Sequence, residues 1–142
     1  MENKLKRSRW NHLSELMDME NIEIPRERVI INRTIGKGAF GTVFGGECQL
    51  RDNDIWTAVA VKALGSSTIE AKLDFLSEAD MMRKFDHPNI IRLLGLSTSQ
   101  EPIYMIMEFI LYGKYFIPLL NFSNIYLFLC VMMCISFFFK KS

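Results

Sequence analysis

Residues 36–41 read Gly-Lys-Gly-Ala-Phe-Gly, which sets glycines at i, i+2 and i+5. With no side chain at these points, backbone N–H groups can approach a polyphosphate where a Cβ would intrude. By itself the spacing fits a flexible hairpin loop equally well. The next five residues narrow the choice. A dinucleotide-binding fold opens a helix after its glycines, whereas Thr42-Val43-Phe44 is β-branched and aromatic, and Gly45-Gly46 comes next. Residues 35–43 are therefore predicted as strand, glycine turn and strand. Two more residues could serve phosphate chemistry. Lys62 closes a short apolar strand, TAVAVK, and Glu78 lies 16 residues beyond it. Residues 68–85 carry a helical pattern with Leu73, Leu76, Ala79 and Met82 near one face. A buried lysine needs a partner to stay charged beside phosphates, and a glutamate on a packed helix supplies one.

The positioning elements are set by the punctuation of the chain. Strands over 29–35 and 42–50 make a hairpin, Arg51-Asp52-Asn53-Asp54 is a turn, and 55–64 is a third strand. Gly65-Ser66-Ser67-Thr68 offers a helix N-cap, with Glu70 in the first turn. The helix ends near Phe85, where Asp86-His87-Pro88-Asn89 breaks it, and two strands come after it over 90–96 and 103–107. His87, in a turn before proline, is read as structural. Five antiparallel strands with one packed helix make a small α+β layer.

A chain of 142 residues with net charge +1 fits one domain, or a small domain with an appendage, and gives no electrostatic case for nucleic acid. The charge is uneven: all 16 acidic and 15 of the 17 basic residues precede Tyr115. The three cysteines, at 48, 130 and 134, make no disulfide framework, which suits a reducing compartment. Cys130 and Cys134 share a helical face without a His or acidic neighbour, so packing is expected of them rather than metal binding.

Glycine hairpin, V-A-V-K strand and helix glutamate, in that order, are far more specific together than singly. Residues 26–113 resemble the N-terminal lobe of a protein kinase, most like the tyrosine kinases and especially receptor types. The stretches that carry the likeness are IPRERV (24–29), IGKGAFGTVFGGE (35–47), VAVKAL (59–64), FLSEADMMRKFDHPNIIRLLG (75–95) and EPIYMIMEF (101–109). The resemblance covers 88 of 142 residues and stops after Gly113. It implies ATP as ligand. Gly36, Lys37, Gly38, Ala39, Phe40 and Gly41 would cover the phosphates, with Phe40 at the tip, and Val43 and Ala60 would roof the adenine. Lys62, paired to Glu78, would hold the α- and β-phosphates. Met107 falls at the gatekeeper position, and Glu108 and Ile110 would offer a backbone carbonyl and N–H to the adenine edge. Met82 and Leu93 match the two upper members of the hydrophobic spine, and the Glu78 helix is where a partner kinase or regulator would dock. Neither the His-Arg-Asp loop nor the Asp-Phe-Gly motif occurs in these residues, and the magnesium ligands go with them. The chain alone is therefore expected to be inactive, with a weak or partial ATP site.

The flanks match the family less well. Residues 1–25 are polar, with the basic cluster Lys4, Lys6, Arg7 and Arg9, and resemble a juxtamembrane segment; a solvated tail is expected, with Leu13, Leu16, Met17 and Glu20 allowing a short helix. Residues 115–139 carry no charge in 25 positions and are rich in Phe, Ile and Leu, so a C-terminal hydrophobic helix and a membrane span are expected within 114–142. At ~1.5 Å per residue such a helix reaches ~37 Å, although its strongest part, 125–139, is 15 residues against the usual ~20. Gly113-Lys114-Tyr115 can be encoded GGT AAG TAT, a good splice-donor sequence, so translated intron is the favoured origin of the tail. Three functions are open: a partial tyrosine kinase domain, an inactive membrane-tethered interaction module with its lobe on the cytoplasmic side, or a truncated product without function of its own.

Overall fold

The computed structural model describes residues 2–16, 18–38, 41–50, 54–86 and 91–109. Five strands form one antiparallel sheet: β1 (Val29–Gly38), β2 (Gly41–Gln49), β3 (Trp56–Ala63), β4 (Leu93–Ser97) and β5 (Tyr104–Glu108), in spatial order β1-β2-β3-β5-β4. Among the described residues it is accompanied by three α-helices, α1 (Glu2–Leu16), the single turn α2 (Met19–Ile22) and α3 (Ile69–Arg83), and by a 3-10 turn over Arg26–Arg28. The five strands and the packed helix predicted over 29–107 are present, with ends shifted by up to three residues.

Period-two alternation sorts the sheet residues into two cores. Val59 and Val61 of β3 point to one side with Ile106, Cys48 and Ile24, and all five are nearly or fully buried. Ala60 and Lys62 point to the other side, where Met105 and Met107 stand opposite them on β5. On that side α3 buries Leu73, Phe75, Leu76, Ala79 and Met82. Completely burying residues such as Leu76, Leu96, Met105 and Ile106 contributes about 1.5–3 kcal/mol each. Thr68 caps α3 as its sequence suggests, its hydroxyl accepting from the Ala71 N–H at 3.3 Å.

The N-terminal segment differs from the expected solvated tail. Residues 2–16 are helical, and Trp10 and Leu13, three apart on one face, pack on the α3-side core. Helix formation comes from that contact more than from propensity, since a polar helix of this length is marginal alone. The predicted hydrophobic helix and membrane span within 114–142, including Cys130 and Cys134, lies outside the described residues. So does His87 in the predicted turn. Among the described residues no helix is long and apolar enough to cross a membrane.

Candidate nucleotide site

The hairpin of β1 and β2 closes with Gly38 opposite Gly41 and Lys37 opposite Thr42. Gly41 has φ +121°, and a Cβ there would stand 2.2 Å from the Ala63 carbonyl oxygen. Only glycine lets the hairpin lie this close to the end of β3. Gly36 is the opposite case: a Cβ there would meet nothing within 4 Å. Its backbone borders open space, as a phosphate cradle requires. Two register shifts interrupt β1, between Ile31 and Arg33 and between Thr34 and Gly36, and such bulges re-aim side chains. Ala39, Phe40 and Ile110 of the predicted site lie outside the described residues.

Register brings the remaining candidates together. Val43 pairs with Lys62, Gly45 with Ala60, and Ala60 with Met107, so these residues share one face of three adjacent strands. Val43 and Ala60 are partly buried, and Met107 is buried. Glu108 ends β5 and is bound on both sides to Arg92: its N–H donates to the Arg92 carbonyl at 3.1 Å, and its carboxylate accepts from the Arg92 N–H at 2.9 Å. Leu93 stands opposite Met107 on β4 and packs on the same core as Met82.

The predicted ion pair is formed. Lys62 Nζ donates to both carboxylate oxygens of Glu78 at 2.8 Å, with side chains 7% and 15% exposed. Phe75, one turn before Glu78, places its ring centroid 5.9 Å from the ammonium. A charge this deeply buried is held by its partner, because desolvation opposes it and attraction at short range offsets that cost. Elsewhere on α3, burial alone would raise the Asp80 carboxyl, but hydrogen bonds from Lys84 and Arg83 hold it below its ordinary value. On the opposite core, burial pushes the Cys48 thiol up, partly countered by Arg28.

Sequence reasoning missed two parts of this arrangement. Ile35 stays 46% exposed and sets its Cγ2 3.7 Å from where a Gly45 Cβ would stand, on the face of Val43 and Ala60. An isoleucine directly before the first glycine was the available signal. Arg26 was read only as wording of a resemblance. Its guanidinium donates to Ser97 Oγ at 3.2 Å, to the Gln100 carbonyl at 2.7 Å and to the Pro102 carbonyl, and lies 3.6 Å over the Tyr104 ring centroid.

A glycine hairpin over a buried lysine–glutamate pair, on a five-stranded sheet with one packed helix, defines the class. Residues 29–122 match the protein tyrosine and serine/threonine kinase family, and the chain belongs to it. It is 42% identical over 95 residues to tyrosine-protein kinase SRK3 of Spongilla lacustris, covering 65% of this chain and 26% of that protein. It is 40% identical over 93 residues to human tyrosine-protein kinase Fer, covering 65% of this chain and 11% of Fer. Over 87 residues it is 42% identical to the proto-oncogene tyrosine-protein kinase ROS of Gallus gallus, covering 59% of this chain and 4% of ROS. The chain thus spans about a quarter or less of the length of these relatives.

Proposed function

We propose that these residues form the ATP-binding lobe of a protein tyrosine kinase. The observation that carries this is the buried Lys62–Glu78 pair on the sheet face shared with Val43 and Ala60, beside a hairpin whose Gly36 borders open space. In this reading the hairpin amides and the Lys62 ammonium hold phosphates, and Ile35, Val43 and Ala60 cover the base. Met107 limits the depth of the base pocket. Glu78 holds the ammonium in place through both carboxylate oxygens. ATP supplies the transferable phosphoryl group.

Transfer needs an aspartate to orient the acceptor hydroxyl and ligands for magnesium. His-Arg-Asp and Asp-Phe-Gly do not occur in the 142 residues. On our reading a second lobe supplies both functions, so this chain binds nucleotide weakly and transfers nothing by itself. Receptor type, with the lobe tethered on the cytoplasmic side of a membrane, is the finer proposal. It rests on the IPRERV segment, on the basic cluster before it, and on the uncharged stretch 115–139.

A lysine-acylating ATP probe tests the nucleotide reading. Labelling that maps to Lys62 and is blocked by excess ATP is expected. Labelling spread over surface lysines and indifferent to ATP would contradict it.

A further inference from the structure

We infer that in water the uncharged stretch 115–139 lies over an exposed apolar patch on the site face of the sheet and shields Trp56 and Ile30 from solvent. Register defines the patch. Gln49 pairs with Trp56, Glu47 with Ala58 and Gly45 with Ala60, so these β3 residues share the face of Val43 and Lys62. Ile30 pairs with Glu47, which puts it in one row with Ala58. Ile35 stands beside Gly45, and thus beside Ala60. Three large apolar side chains are left in solvent here: Trp56 is 40% exposed, Ile30 43% and Ile35 46%. Helix α3 covers this face only at its other end, around Lys62 and Met105. With strands ~4.8 Å apart and ~3.3 Å per residue, the patch spans ~13 Å from Trp56 to Ala60 and ~10 Å across to β1. An apolar patch rimmed by polar residues such as Glu47 and Gln49 marks a surface that meets a partner.

The chain itself carries a segment that fits. Strand β5 ends at Glu108, directly after Met107, which pairs with Ala60 at the border of the patch. The six residues from 109 to 115 reach ~20 Å when extended, enough to cross the whole patch. Residues 115–139 hold no charge in 25 positions, so laying them on Trp56 and Ile30 buries no ion. Tethering decides against a second copy. A short tether sets an effective concentration on the order of 1 mM, about a thousandfold above that of the same stretch on other molecules at ~1 μM. A bilayer would take the same stretch, so the cover forms in water and opens where the membrane tether proposed above is made. Ile35, Val43 and Ala60 belong both to the border of the patch and to the proposed base site, so the cover competes with nucleotide. That consequence rests on the proposed function; the cover itself does not.

The test uses the full 142-residue chain without nucleotide or lipid, with Trp10→Phe leaving Trp56 as its one tryptophan. Acrylamide, a neutral quencher, reads how much of Trp56 meets solvent. Ile30→Asp sets a charge in the patch, and Leu127→Asp/Leu129→Asp sets two in the stretch while changing no residue of the sheet. Each is expected to raise the quenching of Trp56 about twofold or more and to move its emission to the red. Quenching of the parent should not change on about tenfold dilution from ~1 μM. If Ile30→Asp unfolds the sheet, Leu127→Asp/Leu129→Asp decides. Equal quenching in the parent and in Leu127→Asp/Leu129→Asp would overturn the inference. Protection of Trp56 that fades on dilution would overturn it too, because the face would then belong to a second copy.

Discussion

Glu78→Gln separates an ion pair that organises the site from one that merely decorates it. The substitution keeps size and shape but leaves the Lys62 ammonium, 7% exposed, facing a neutral amide. Removing one partner of a buried ion pair costs about 3–5 kcal/mol, and the 15% exposure of Glu78 admits water and puts the expected loss near the lower bound, about 3 kcal/mol. A small lobe with on the order of 5 kcal/mol of stability would keep little of it. Lys62→Met removes the more deeply buried charge and leaves the more exposed one, which water reaches more readily, so it should cost less than Glu78→Gln. Lys62→Met/Glu78→Leu replaces the pair by apolar contact and should return to within about 1 kcal/mol of the parent. Urea unfolding, followed by circular dichroism and by the fluorescence of Trp10 and Trp56, reads all three. Equal losses in the two single variants, or a double variant as unstable as Glu78→Gln, would refute the reasoning.

The remaining predictions concern glycine, arginine and cysteine. Gly41→Ala forces a Cβ into the Ala63 carbonyl at a positive φ and should cost about 2 kcal/mol or more in the same unfolding assay. Gly36→Ala meets nothing within 4 Å, and should leave stability within about 0.5 kcal/mol while weakening any nucleotide signal. Arg26→Ala removes charged hydrogen bonds and a stacked ring and should cost about 2 kcal/mol; Arg26→Lys should recover little of it, because the planar fork is lost. Cys48 has a thiol raised above its ordinary 9.0 by burial, so peptide mapping should find it alkylated far more slowly than in urea. A raised folded-state pKa means its contribution is complete below pH 9.0 and is lost as pH rises through the folded value, so alkaline unfolding should come later in Cys48→Ala.

Much of the fold was legible because alternation and helical spacing each appear undisturbed. TAVAVK alternates buried and site-facing residues, and Leu73, Leu76, Ala79 and Met82 trace one face of α3. Lys62 and Glu78 were legible for a further reason: a lysine inside an apolar strand demands a counter-charge, and of the four acidic residues on α3 the order and spacing of the kinase-like elements singled out Glu78. Of the N-terminal helix only a short stretch around Leu13 and Leu16 was legible; its extent back to Glu2 was not, because α1 is polar over most of its surface and buries only parts of Trp10 and Leu13 against a core assembled from distant residues. Ile35 had a local signal in its place directly before the first glycine, but the bulges in β1 that turn it toward Val43 and Ala60 have none. The grip of Arg26 on the β4–β5 connection spans more than 70 residues, which spacing arguments do not reach.

The most direct measurement is an ATP titration of the isotopically labelled chain, following backbone amide shifts in parent and Lys62→Met proteins. We predict saturable shifts confined to 35–43, 60–62 and 107–108, with a Kd on the order of 1 mM, about −4 kcal/mol, and their loss in Lys62→Met. Shifts scattered over the surface, or equal titration of both proteins, would contradict the assignment of this lobe to nucleotide binding.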